Sequence, residues 1–277
     1  MKTLSKLVRN AFLERFDLQR LERRVRRRQQ QCAGVELPVV SLTSVPQRIG
    51  RIKPTLVSLL RQTLPPKEIH INLGRDLFRG QPLPAVLDGL ELVRVHWVDR
   101  DVGPATKYIP TLERYARTDQ LIVVVDDDMY YSDRLLADLA RAERDAGGEK
   151  VYCVNGFKVP ADLQSASRPS DRALSAGTKR VAIVEGCGGY TLRPRMVDPA
   201  ALRDVANAPA RVLFDDDIWL SGHLSRAGIE KLQVATGRRR ALVNALEPAI
   251  TGDRARLQTD VMTHFRADWT PDEIEPA

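Results

Sequence analysis

Apolar and polar positions follow two different rhythms along this chain. Over residues 4–28, Leu4, Leu7, Val8, Phe12, Leu13 and Phe16 recur every three or four positions, and Leu18, Leu21 and Val25 extend a weaker stripe. That spacing predicts a helix. Arg23, Arg24, Arg26, Arg27 and Arg28 load its second half with charge, which makes it basic and amphipathic. A linker is expected over residues 29–37, and the chain divides into a helix and linker (1–34) and one larger domain (35–277).

Beyond the linker the rhythm changes. Pro38–Thr43, Glu68–Leu73, a stretch within Leu90–Val98, and Leu121–Val125 read as strands, while Ile52–Gln62 and Thr111–Arg117 read as helices. Leu121–Val125 (LIVVV) is the most apolar and β-branched run, as a central parallel strand buried on both faces requires. Val151–Val154, Val181–Val184 and Val212–Phe214 are shorter strand candidates. Strands alternating with helices predict a doubly wound, mostly parallel α/β sheet with flanking helices. Ligands of such sheets sit at the carboxyl ends of the strands, which places residues 43–48, 99–107 and 126–128 on one rim.

Composition narrows the class. With 43% hydrophobic and 29% charged residues the chain reads as a soluble globular protein. No apolar run approaches the roughly 20 residues that span a bilayer, and no secretory apolar core is evident near the start. Three widely spaced cysteines, Cys32, Cys153 and Cys187, point to a reducing compartment, so the cytoplasm is the expected location. The net charge of +7 lies wholly in residues 1–31, because the remainder holds 33 basic and 33 acidic residues. Nucleic acid is therefore not an expected partner of the body. The basic helix could lie on an anionic membrane surface or pack against this chain or another.

Two acidic triplets carry the candidate chemistry. Asp126-Asp127-Asp128 follows LIVVV directly. Three adjacent carboxylates repel one another, and burial raises their pKa values unless a cation balances them. Mg²⁺ or Mn²⁺ suits oxygen ligands shared with phosphates; a turn and helix cap is the plainer alternative. Asp215-Asp216-Asp217 precedes a helical segment at Ile218–Ala227, where a carboxylate serves as general base or as cap. Between them, Glu185-Gly-Cys-Gly-Gly-Tyr190 has three glycines that permit close approach to a ligand, among them Gly188 and Gly189. Lys107, in GPATKY, could meet a phosphate. His264 is one of four histidines, a candidate metal ligand or a structural residue.

Together these segments resemble the GT-A class of glycosyltransferases, in particular family-2-like bacterial members, over about residues 38–265. LIVVVDDDMYYSDRLL looks like the strand, DxD motif and following helix of that class. The resemblance implies that Asp128 binds the metal, Asp126 contacts the nucleotide, and Asp127 supports either. VVSLTSVPQRIGRIKPTLVSLLRQT resembles the first strand and nucleotide loop, putting Thr43 and Arg48 near base and ribose, and Lys107 matches a nucleotide-sugar contact. EGCGGYTLRP resembles the acceptor-side loop. FDDDIWLSGHLSRAG resembles the acidic pair at a helix start, which makes Asp217 the base and Asp216 its partner; His264 is the best match to a late metal-binding histidine. The implied activity is metal-dependent transfer from a nucleotide-diphosphate sugar to a glycan or lipid-linked acceptor, in cell-envelope polysaccharide synthesis at the inner membrane face. Its rivals are a haloacid-dehalogenase-like phosphatase, a nucleotidyltransferase on a similar fold, and a non-catalytic nucleotide-binding or membrane-associated module. Tyr130 stands where the phosphatase pattern wants Thr or Val.

Overall fold

The computed structural model describes residues 13–169, 174–236, 240–241 and 254–276. Residues 4–12 of the expected N-terminal helix lie outside these. In chain order the strands are β1 (Val39–Thr43), β2 (Glu68–Gly74), β3 (Val93–Val98), β4 (Ile122–Val124), β5 (Met129–Tyr130), β6 (Val151–Cys153), β7 (Gly156–Phe157), β8 (Thr178–Val181), β9 (Ile183–Val184), β10 (Tyr190–Leu192), β11 (Lys231–Val234) and β12 (Arg240–Ala241). The helices that matter here are α1 (Leu18–Gln31), α2 (Lys53–Leu60), α3 (Ile109–Arg114), α4 (Leu135–Asp145), α5 (Asp216–Arg226) and α6 (Arg254–His264).

Eight strands form one sheet in the order β3-β2-β1-β4-β10-β6-β11-β8. β3, β2, β1 and β4 are parallel neighbours, and β6 pairs parallel with β11. β10 runs against both β4 and β6, and β8 runs against β11 at the edge. The expectation of a mostly parallel α/β sheet flanked by helices is met. Alternation along β4 explains its central place. Val123 joins the apolar cluster on one side of the sheet with Leu42, Leu56 and Leu139, and Ile122 and Val124 join the other with Trp219 and Phe265. Chain order reverses between β1 and β4, and the crevice at the carboxyl ends of such a pair is where open α/β sheets take ligands.

Two expectations change. Val212–Phe214 is not a strand; Val212–Asp215 is a 3₁₀ turn entered from a left-handed Arg211 (φ 63°). Within the described residues the expected helix is not continuous: the chain leaves helical geometry over residues 14–17 and re-enters it at Leu18, where the Asp17 side chain accepts from the Arg20 N–H at 3.1 Å and caps the new helix. Its apolar stripe, Leu18, Leu21 and Val25, is buried in the core cluster that holds Leu56, Leu59, Leu92 and Val93. Glu22 is buried with it and accepts backbone N–H groups of Glu91, Leu92 and Val93 at 2.9, 2.8 and 3.0 Å. The face that an amphipathic helix would offer to lipid is thus spent, between residues 18 and 25, on the protein's own core. Among the described residues no helix is long and apolar enough to cross a membrane.

Candidate functional site

The site begins where β4 ends. The Val125 N–H donates to Ser41 O of β1 at 3.0 Å, and the Asp126 N–H donates to the Tyr131 hydroxyl at 2.8 Å, so the chain leaves the sheet in a fixed turn. The three carboxylates then part company. Asp127 turns inward and is 3% exposed; it accepts from Ser44 Oγ at 2.5 Å and pairs with the Arg48 guanidinium at 2.8 Å. Its carbonyl accepts from Thr55 Oγ1 at 2.7 Å. Burial pushes the Asp127 carboxyl up to about 6, against the opposing pull of Arg48 and Ser44. Asp127 therefore ties the turn to the segment after β1 through Ser44 and Arg48, and to the start of α2 through Thr55. Asp126 and Asp128 keep partial exposure on the rim. Burial, and then the neighbouring Asp126, raise the Asp128 carboxyl above its ordinary range despite Arg48.

Lys107 joins the two triplets. Its Nζ lies 3.0 Å from Asp126 Oδ1, 3.0 Å from Asp216 Oδ2 and 3.2 Å from Asp217 Oδ1, with the side chain 4% exposed. Its backbone is anchored from below: Ser41 Oγ donates to Lys107 O at 2.5 Å and contacts Thr111 Oγ1 at 2.7 Å. Asn72 Nδ2 donates to the same Ser41 and Thr111 hydroxyls at 3.2 and 3.0 Å. This polar knot at β1, β2 and α3 fixes where the ammonium sits. Burial alone would lower the Lys107 pKa, but Asp126, Asp216 and Asp217 outweigh it and hold it well above its ordinary value. Lys107 is therefore a permanent cation.

Asp215–Asp217 open α5, yet no side chain caps the helix. Asp215 is buried and faces Arg254, at 3.5 Å. Asp217 instead accepts the Gly186 N–H on both oxygens, each at 3.2 Å. Burial, together with Asp216 and Asp126, raises the Asp217 carboxyl well above its ordinary value against Lys107, and Asp216 is lifted to about 6. The pair is thus a base of unusual strength for a carboxylate, held in place by a backbone donor and an ammonium.

The glycine loop contributes differently from expectation. Gly188 packs on Asn155, whose N would be 2.7 Å from an added Cβ, and Gly189 has φ +86° beside Leu135 and Val125; both serve the turn. Gly186 is the one that faces the cluster. A Cβ there would lie 2.4 Å from Lys107 Nζ and 2.6 Å from Asp126 Oδ1. Gly186→Ala is expected to separate Lys107 from Asp126 and to lower turnover at least tenfold while the fold persists, checked by steady-state kinetics beside a melting curve. The Gly186 carbonyl also accepts from the Tyr131 hydroxyl at 3.3 Å, a link from this loop to the Asp126 turn.

Sequence reasoning missed Gly186 and Tyr131. Both stood inside motifs it quoted, but spacing does not say which loop residue turns inward. Thr43 lies at the end of β1, its hydroxyl donating to Asn72 O at 2.7 Å. His264 is not brought to the cluster. It ends α6 in a cavity of about 240 Å³ with Trp219, His223 and Arg226, its ring 5.6 Å from that of Trp219. From α6 it is Arg254, at the opposite end, and Gln258 that reach Asp215. Among the described residues no three His, Cys, Asp or Glu side chains converge as a metal cage. Asp126 and Asp128 do offer hard oxygen donors on the rim, both partly exposed. That donor set fits a Mg²⁺ or Mn²⁺ held by one or two carboxylates and completed by substrate phosphates.

No family model and no curated protein sequence matches the chain. Among solved structures it is similar to GalNAc-T7, solved with UDP, GalNAc and Mn²⁺, at 14% identity and a TM-score of 0.47 over 80% of this chain and 47% of that one. The chain thus spans about half the length of GalNAc-T7. It is also similar to a chain described as a glucose-1-phosphate thymidylyltransferase from Bacillus anthracis, solved with sucrose, at 13% identity and a TM-score of 0.44 over 75% of this chain and 89% of that one. At these scores neither likeness bears on what the site does.

Proposed function

We propose that this protein is a GT-A-type glycosyltransferase that moves a sugar from a nucleotide-diphosphate sugar to a hydroxyl of a glycan or lipid-linked acceptor. One observation carries the reading: Asp126, after the central strand, and Asp217, opening α5, meet on one ammonium at the crevice between β1 and β4. A donor-side acid and a strengthened carboxylate base side by side are what sugar transfer needs. Asp126 is assigned to the nucleotide and Asp128 to the metal, with Thr43 and Arg48 on the base and ribose side. Mg²⁺ or Mn²⁺, when bound, supplies Lewis-acid neutralisation of charge on the departing diphosphate.

The chain's own residues do the rest. Gly186 N–H orients Asp217, and Lys107 holds it beside Asp126. In an inverting transfer Asp217 takes the acceptor hydroxyl proton, with Asp216 sharing the charge. Asp127, tied to Ser44 and Arg48, keeps the turn rigid. An acceptor in envelope glycan assembly at the inner membrane face is the class we assign.

A donor screen with Mg²⁺ or Mn²⁺, reading release of nucleoside diphosphate with and without acceptor glycans, tests this. Asp128→Asn is expected to lose metal-dependent donor binding, at least tenfold by calorimetry. Metal-dependent binding in that variant equal to wild type would remove the assignment. Inorganic phosphate released from phosphomonoesters, with no nucleoside diphosphate, would favour the phosphatase reading instead.

A further inference from the structure

The docked helix α1 turns a second face outward. Arg20, Arg23, Arg24 and Arg27 stand at i, i+3, i+4 and i+7, so they share one stripe. The buried stripe, Leu18, Leu21, Glu22 and Val25, has the same spacing two residues earlier, which puts it about 200° around the helix. All four arginines are exposed, and none has an ion-pair partner among the described residues. The neighbouring cations on the flanks behave differently: Arg26 pairs with Glu91 and Arg28 donates to Thr63 O. The helix is thus held to the body by its apolar face and its flanks, while the outer face presents unneutralised guanidinium groups along about 10 Å of a straight element.

We propose that this arginine stripe docks the protein on an anionic lipid surface, by charge alone and without insertion of α1. The sequence reading laid the basic helix on an anionic surface; within α1 the apolar stripe Leu18, Leu21 and Val25 is occupied by the core, so the guanidinium face is the one α1 turns toward phosphate headgroups. The occupant follows from charge complementarity and shape. A lone row on a convex helix suits a flat layer of phosphates, whereas single-stranded nucleic acid is gripped by basic grooves with stacking aromatics. The stripe holds no aromatic residue, and residues 32–277 carry no net charge. The inference does not depend on the sugar-transfer reading.

Co-sedimentation of the full chain with vesicles of phosphatidylcholine, with and without phosphatidylglycerol, tests it. Each cation near such a surface multiplies partitioning about fivefold. Binding is expected only with phosphatidylglycerol, is expected to fall steeply with added salt, and to drop roughly 30-fold in Arg23→Ala/Arg24→Ala. Arg117→Ala/Arg266→Ala removes the same charge from exposed positions off α1 and is expected to bind like wild type. Both pairs are exposed, so equal melting temperatures confirm intact folds. No binding to phosphatidylglycerol, equal loss in the two double variants, salt-insensitive binding, or tighter binding to a mixed-sequence oligonucleotide would each overturn the proposal.

Discussion

Asp217→Asn is expected to lower turnover by about 10²–10⁴-fold, the usual worth of a positioned general base, with donor affinity changed by no more than a few-fold. The amide keeps the shape of the carboxylate and can still meet the Gly186 N–H through its oxygen, but it cannot take a proton. The pH profile gives the sharper reading. Burial with Asp216 and Asp126 nearby raises the Asp217 carboxyl, and Asp216 stands at about 6. A base acts only when ionised, so activity is present above the pair's apparent pKa and is lost as pH falls through it. The acidic limb of the rate profile is therefore expected near 6, well above the range of an ordinary carboxylate, and belongs to the pair rather than to either acid alone. In Asp217→Asn the residual rate should lose that limb. A limb near 4 in the wild type, or a variant with unchanged turnover, would remove Asp217 from the role of base.

How much of this was legible in the sequence depends on the range of the forces involved. β1, β2, β3, β4 and β6 were readable as short β-rich runs, β4 most plainly because burial on two faces writes itself as the uninterrupted run Leu121–Val125, and the rim position of Asp126–Asp128 followed from the end of that run. β10 was not read as a strand: Tyr190–Leu192 has three residues, and its direction against β4 is set by its neighbours. Val212–Phe214 has strand composition, but the left-handed Arg211 before it and the acids after it make a turn. Within the site, the three members of Asp126–Asp128 have different fates that no local pattern encodes. Asp127 is consumed by Ser44 and Arg48, eighty residues upstream, while Asp126 meets Lys107. The α1 stripe shows the same limit. Amphipathicity reveals that a face must be covered, and only the fold reveals by what.

Lys107→Met is expected to have the largest effect on the folded state. The substitution keeps an apolar stem of similar length and removes the ammonium, leaving Asp126, Asp216 and Asp217 facing one another around a buried position where the Lys107 side chain is only 4% exposed. Removing one partner of a buried charge cluster typically costs about 3–5 kcal/mol, a fall in melting temperature of roughly 10 °C for a chain of this size. The sign of its pH dependence follows from the raised carboxyls. Asp216 and Asp217 already bind protons more tightly folded than unfolded, and without Lys107, which lowers both, they do so further. The folded variant then holds protons that the unfolded chain has released, so its stability is greatest at low pH and is lost as pH rises from the unfolded carboxylate range through the raised values. The deficit against wild type should accordingly be small near pH 5 and large near pH 8. The double variant Lys107→Met/Asp217→Asn removes one of the stranded charges and is expected to melt above Lys107→Met, a favourable coupling that additive, independent sites would not give. Melting curves of the four proteins across that pH range decide it. A single variant as stable as wild type at pH 8, or a double variant no better than the single, would mean that the ammonium does not hold these acids together.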